Sequence, residues 1–275
     1  MFEKSDLLTT KQMAEFVANG YLILNEIVPK DLCTDCLAEI ESGMHSAYLE
    51  VCQPFDNVWP DCAIGKAFRV PKVRGMIHSL LGPNPRYDHH WPHKTPGNTF
   101  KGSDMHQDAE YDRRDVHFDI QISFFPQEIP PEMGGTLFVP GSHFRRVYES
   151  QVIRYQNVVG QWQAVCPAGT MVVWHHNVWH SARSNKTDRD RYMFKLRLNP
   201  TVKQTLHWNL DDLSDPEVYK ILSRNQPWHG QEGRLEQFNR AKLWRYLTDN
   251  PRFDLDLWWT RIENEPQTIY QPLWR

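Results

Sequence analysis

His106 and Asp108, separated by Gln107, put an imidazole and a carboxylate two residues apart. With a second imidazole from later in the chain they can cap one face of a metal octahedron. Such a 2-His-1-carboxylate set leaves three positions open for a chelating co-substrate and dioxygen, the arrangement of non-haem Fe(II) oxygenases. His180 is the candidate third ligand, and Arg191 follows it by eleven residues. A guanidinium there offers a planar fork for the far carboxylate of a dicarboxylate co-substrate. Alone, His-x-Asp is a weak signal in a chain with 13 His, and its context has to support it. His175, His176, His89, His90 and His93 compete for the third position, and Asp188 and Asp190 offer Arg191 an ordinary surface ion pair.

The elements around these residues read as strands. Val116, Phe118, Ile120, Ile122 and Phe124 alternate with His117, Asp119, Gln121 and Ser123, a period of two with one buried face. Thr136 to Val139, Gly169 to Trp174 and Tyr192 to Leu198 are further short strands, punctuated by Pro130-Pro131, Gly134-Gly135 and Pro140-Gly141. This pattern predicts a mainly β fold, an antiparallel barrel or jelly roll. On an extended chain residues i and i+2 share a face, so His106 and Asp108 aim the same way. His180 lies just past the Gly169–Trp174 strand. Sequence alone leaves open whether those two stretches are neighbours.

Helices flank this region. Thr9 and Gln12 have capping-box spacing ahead of Met13, Phe16 and Val17, and Gly20 ends that helix before a buried strand at Tyr21–Leu24. Pro29 opens a second helix running to about Val51, and residues 52–105 read as irregular. The last seventy residues differ: Leu235, Phe238, Leu243 and Trp244 suggest a helix, and Trp208, Trp228, Trp258, Trp259 and Trp274 make the segment aromatic-rich. Such rings pack on something: the outside of the barrel, a lid over the site, or a homo-oligomer interface.

At 275 residues with a net charge of −3, the chain has no basic run to bind nucleic acid or an anionic membrane. It shows no signal-peptide pattern and no membrane-spanning stretch, which predicts a cytoplasmic enzyme built as one domain, with a core at about residues 10–200 and an extension at about 201–275. Its five Cys do not form a disulfide framework. Cys33-x-x-Cys36 reads as two small apolar residues on a helix with Leu32, Leu37, Ile40 and Met44, since Cys52 and Cys62 are too far apart to complete a zinc motif.

Five blocks, in order, resemble the phytanoyl-CoA dioxygenase family of Fe(II)/2-oxoglutarate-dependent oxygenases. They are Phe16–Tyr21, His106-Gln107-Asp108, Gly134–His143, His180–Asn185 and Arg191. The resemblance covers roughly residues 10–200. It implies a double-stranded β-helix, a cupin-like jelly roll, with His106, Asp108 and His180 on iron. It also selects His180 over its competitors and makes Arg191 the 2-oxoglutarate anchor, with Gln107, Ser181 and Lys94 as further contacts. One departure stands out. Where the family often has a hydroxyl residue two past the distal His, this chain has Ala182.

The implied cofactors are Fe(II), 2-oxoglutarate and O2, and the implied reaction releases succinate and CO2 while hydroxylating a C–H bond. Related halogenases lack the carboxylate ligand, so Asp108 argues for hydroxylation. A small polar molecule is the expected substrate, with Trp91, Tyr111, Phe124, His176 and Arg183 as candidate contacts. Arg113, Arg114, Arg145 and Arg146 are too ordinary a surface charge pattern to imply a CoA ester. Two other readings stand beside this one: a cupin-type metal enzyme without 2-oxoglutarate, which has no use for Arg191, and a non-catalytic small-molecule-binding barrel, which has no use for an intact triad.

Overall fold

The computed structural model describes residues 2–108, 116–145, 157–228 and 230–255. Helix α1 (Thr10–Asn19) starts where the sequence places it. Thr9 Oγ1 accepts from the Gln12 amide at 3.2 Å while Gln12 Oε1 accepts from the Thr9 amide at 2.9 Å. Gly20 closes the helix at φ 83°, a conformation costly for any residue with a Cβ. Strand β1 (Tyr21–Leu24) follows. Helix α2 spans Lys30–Glu41 and buries Cys33, Cys36 and Ile40. It stops ten residues short of Val51, because Ser42-Gly43 turns the chain and Gly43 sits at φ 78°. Met44, expected on the helix, is exposed in that turn.

Residues 52–105 are not irregular throughout. They hold α3 (Ala63–Ala67), α4 (Pro71–Leu81) and the ten-residue β2 (Arg86–Thr95). Val73, Met76, Ile77, Leu80 and Leu81 give α4 its buried face, and Pro71 opens it at N1. The mixed His, Pro and Trp composition of β2 hides its extended character from periodicity.

The remaining strands are β3 (Ile120–Phe125), β4 (Thr136–Phe138), β5 (Trp162–Gln163), β6 (Thr170–His175), β7 (His180–Ala182) and β8 (Arg191–Asn199). They form a five-stranded sheet, β1-β6-β3-β8-β2, and a three-stranded one, β5-β4-β7, with every strand pair antiparallel. The larger sheet is covered on both faces, so β3 and β6 are buried at every residue. One face carries Ile122, Phe124, Met171, Val173, Phe194 and Leu196 into the helical layer of Phe16, Phe68, Met76 and Leu80. The other turns Phe125, Val172 and Trp174 towards Phe138 of the smaller sheet. The alternation read as "buried and solvent" is therefore "core and interior".

Beyond β8, helices α5 (Pro216–Ser223) and α6 (Gly230–Thr248) cover α1. Trp208 and Trp244 are buried, and Trp208 Nε1 donates to Thr10 Oγ1 at 3.1 Å. Arg240 is fully buried and bonds Glu236 and the carbonyls of Leu222 and Arg224. Trp258, Trp259 and Trp274 lie outside the described residues. No helix among the described residues is long and apolar enough to cross a membrane.

Candidate active site

His106 and His180 meet through their own backbones. The amide of His106 donates to the carbonyl of His180 at 3.0 Å, and the amide of His180 donates back at 2.8 Å. One antiparallel bridge thus joins the two stretches whose adjacency the sequence leaves open, and it brings the rings to 4.3 Å between centroids. Upstream of His180, Ser142 Oγ accepts from the Trp179 amide at 2.9 Å and donates to Val139 O at 2.6 Å. The Pro140-Gly141-Ser142-His143 block is thereby a brace for the strand that carries His180.

His106 Nε2 lies 3.7 Å, and His180 Nε2 3.8 Å, from Asp108 Oδ1. The three ligand atoms all fall within 4.8 Å of one another. A carbonyl only accepts, so the bonds from His106 Nδ1 to Asp104 O (2.9 Å) and from His180 Nδ1 to Val178 O (3.0 Å) put the ring protons on Nδ1. Each Nε2 then turns a lone pair to the centre, the tautomer a metal requires. Burial pushes His180 down to about 4, which keeps that lone pair free of a proton. Burial works against the Asp108 charge, but the Lys195 ammonium and the Gln121 amide that donate to it hold its carboxyl well below the usual range. The donor set fits a divalent metal: two neutral imidazoles and one ionised oxygen, already oriented.

His106 and His180 line one part of a cavity of about 180 Å³ between the sheets, and Asp108 sits beside them, bonded to the cavity-lining Lys195. Arg191 lines it too. Its guanidinium is buried and donates to Met133 O (2.5 Å), Thr95 Oγ1 (3.0 Å) and Arg183 O (3.1 Å). Among the described residues it has no carboxylate partner. Asp190 pairs instead with Lys94 at 2.7 Å on the other face of the strands. Burial without a countercharge lowers Arg191 to about 10. Gly134, at φ 90°, makes room for it, since a Cβ there would sit 2.5 Å from Nη1.

Strand parity sorts the other candidates. His93 and Thr95 of β2 face the cavity. Lys94 faces outward with its side chain 52% exposed, so it is not a co-substrate contact. Ser181 also points away, because its neighbours His180 and Ala182 point in. Phe124 packs in the helical core, and Gln121 and Ser123 take the interior face. His176 is buried beside the backbone of Asp119, away from the cavity lining. Arg183 reaches Arg191 only through its carbonyl, and its side chain lines outer clefts. Gln107 is buried between the two ligands without lining the cavity. Trp91 shares the interior parity of His93 but is 40% exposed, outside the cavity lining, and packs at a tilt against Tyr48 with 5.3 Å between ring centroids. Tyr111 lies outside the described residues, as do Arg113, Arg114 and Arg146; Arg145 lies between the rings of Trp179 and Trp228.

The residues that sequence reasoning missed are polar ones on the interior face. Asp108 Oδ2 accepts from Lys195 Nζ at 3.0 Å and from Gln121 Nε2 at 2.6 Å. Thr95, Thr136 and Ser103 line the cavity around Arg191 and Ala182, so hydroxyls come from other strands than β7. His93 Nε2 is buried in that lining with no partner among the described residues. The signal for Lys195 was present: it stands four residues after Arg191 on one strand, hence on the same face.

The family model described as phytanoyl-CoA dioxygenase (PhyH) matches residues 16–193. Comparison with curated proteins gives no match. Among solved structures, the chain is similar to the epimerase SnoN from nogalamycin biosynthesis in complex with Fe3+, alpha ketoglutarate and nogalamycin RO. The identity there is 16%, over 69% of this chain and 82% of that one, with a TM-score of 0.55. HygX from Streptomyces hygroscopicus, with nickel and 2-oxoglutarate bound, is 14% identical over 73% and 89% at a TM-score of 0.55. EctD from S. alaskensis, with 2-oxoglutarate and 5-hydroxyectoine, is 16% identical over 70% and 76% at 0.53. At such identities these likenesses speak for the fold.

Proposed function

We propose, for a chain that belongs to the phytanoyl-CoA dioxygenase family, an Fe(II)- and 2-oxoglutarate-dependent dioxygenase that hydroxylates a small polar molecule and releases succinate and CO2. The observation that carries this reading is Arg191. A buried guanidinium without a carboxylate partner among the described residues, lining the same cavity as the two imidazoles of a converging His-Asp-His set, asks for an anionic group from a ligand. A dicarboxylate that chelates a metal at one end answers both demands.

His106, Asp108 and His180 would hold the iron, which when bound supplies oxygen activation and the oxidising power for C–H cleavage. Arg191 would fork the distal carboxylate, with Thr95 orienting the guanidinium and Thr136 and Ser103 near enough in the lining to replace the hydroxyl absent at Ala182. His93 is a polar contact open to co-substrate or substrate, and Trp91 would form the rim. Val172, Trp174 and Phe138 close the interior behind the site and keep bulk water from it.

The two antiparallel sheets support a double-stranded β-helix core, and the docking of Trp208 on Thr10 supports one oxygenase domain with its helical, Trp-rich extension packed on the outside. Cytoplasmic location, a soluble small-molecule partner and the absence of nucleic-acid or membrane partners belong to the same reading.

The test is spectroscopic. Fe(II) and 2-oxoglutarate added without oxygen should give the weak visible charge-transfer absorption of the chelate. Arg191→Met should weaken 2-oxoglutarate binding about 10- to 100-fold, the loss of hydrogen bonds to a charged group. Bound metal with no such absorption would favour a cupin-type enzyme that does not use 2-oxoglutarate.

A further inference from the structure

Asp108 differs from its two partners in how its second donor atom is engaged. Each imidazole gives its other nitrogen to a backbone carbonyl. The carboxylate has Oδ2 gripped by two side chains from adjacent strands, Gln121 of β3 at 2.6 Å and Lys195 of β8 at 3.0 Å. Oδ1 is left facing both imidazoles. The two grips are unequal, because a bond from an ammonium is charge-assisted and one from an amide is not. Lys195 is held close to this carboxylate. Its side chain is only 14% exposed, and Asp108 is the one acceptor it uses among the described residues.

A carboxylate can ligate through one oxygen or both. If Asp108 swung to offer both, it would fill one of the three positions that a two-toothed co-substrate and dioxygen require. We infer that Lys195 is a positioning residue: by holding Oδ2 it keeps Asp108 a one-oxygen ligand and preserves the open positions. The inference rests on the Fe(II)/2-oxoglutarate reading above. It also gives β8 two roles on one face, since Arg191 and Lys195 stand four residues apart, roughly 13 Å along an extended chain. One end of the strand anchors the co-substrate and the other braces the ligand beside the metal.

The experiment is an anaerobic titration of Fe(II), then 2-oxoglutarate, into apo wild type, Lys195→Met, Lys195→Arg and Gln121→Leu. Lys195→Met should bind Fe(II) nearly as tightly but 2-oxoglutarate about tenfold more weakly, with a displaced charge-transfer band. Lys195→Arg should restore both affinity and band. Gln121→Leu should shift both in the same direction by less, and it carries the test if Lys195→Met does not fold. Wild-type 2-oxoglutarate affinity and band in Lys195→Met overturns the inference. So does a parallel loss of Fe(II) affinity, 2-oxoglutarate affinity and melting temperature, which marks a merely structural lysine. A wild-type protein that binds Fe(II) yet shows no band fails at the functional reading itself.

Discussion

Among the described residues, two three-residue clusters have the make-up of a metal site. One is His106, Asp108 and His180; the other is Glu39, His45 and Cys62 between α2 and α3. In both, the ligand atoms lie within 4.8 Å of one another. In the second, every donor is already engaged within the protein. Glu39 accepts from the amides of Ala63 (2.5 Å) and Ile64 (3.0 Å) and pairs with His45 Nε2 at 3.0 Å. Cys62 Sγ accepts from the Gly65 amide at 3.4 Å, and burial raises its thiol away from thiolate. That cluster caps the start of α3. In the first, both ring protons go to carbonyls and Oδ2 goes to Lys195 and Gln121, so one lone pair from each residue remains directed at a common point. Residue type and proximity are common to both clusters. Lone pairs left over are what separate a metal site from a cap.

The comparison breaks most visibly at Asp108. Asp108→Ala should cut Fe(II) affinity at least 100-fold, more than loss of an outer partner would. Calorimetric metal titration reads it, and retained affinity would remove Asp108 from the ligand set. Glu39→Gln should do the reverse: about 2 kcal/mol of stability lost and Fe(II) binding unchanged. Its pH signature follows from sign. Burial raises the Glu39 carboxyl, but the amides of Ile64 and Ala63 and the His45 ring outweigh it and hold it below its ordinary value of 4.5. The unfolded chain therefore takes up that proton first on acidification. The stabilisation is whole above the ordinary value and is lost as pH falls through the folded one. Chemical denaturation at about pH 6 and about pH 3.5 should show the mutant penalty shrinking in acid; a constant penalty means that Glu39 contributes no charge. The smallest effect sharpens the cavity side. Ala182→Thr should tighten 2-oxoglutarate by less than about tenfold, one neutral hydrogen bond, because Thr136 and Ser103 already line that spot.

Much of this was legible in the residues. The α1 capping box, the Gly20 stop and the period-two stretch at β3 were all readable, because each depends on local chemistry. The elements of residues 52–105 were not. In β2 the residues that face inward, Trp91, His93 and Thr95, are no more apolar than those facing out, so periodicity has nothing to detect. The same blindness leaves Lys94 and Ser181 looking like candidate contacts, although neither lines the cavity. Strand parity is set by pairing, here Lys94 opposite Tyr192 and Thr95 opposite Arg191, and pairing partners are remote in sequence. Phe124 was misread because an interior cavity inverts the usual rule: the polar face of β3 lines the site and the apolar face lines the core. The convergence of His106 on His180 depends on a single long-range bridge that no local pattern announces.

That bridge also says where this gene tolerates insertions. The 73 residues between His106 and His180 are closed, at the ligands, by two reciprocal backbone hydrogen bonds. Lengthening a surface loop between them changes closure entropy only logarithmically. Inserting or deleting one residue between His106 and Asp108 would instead turn one ligand outward and leave the other facing in. Drift in length is therefore cheap in the surface loops of that span and ruinous between the two ligands that open it.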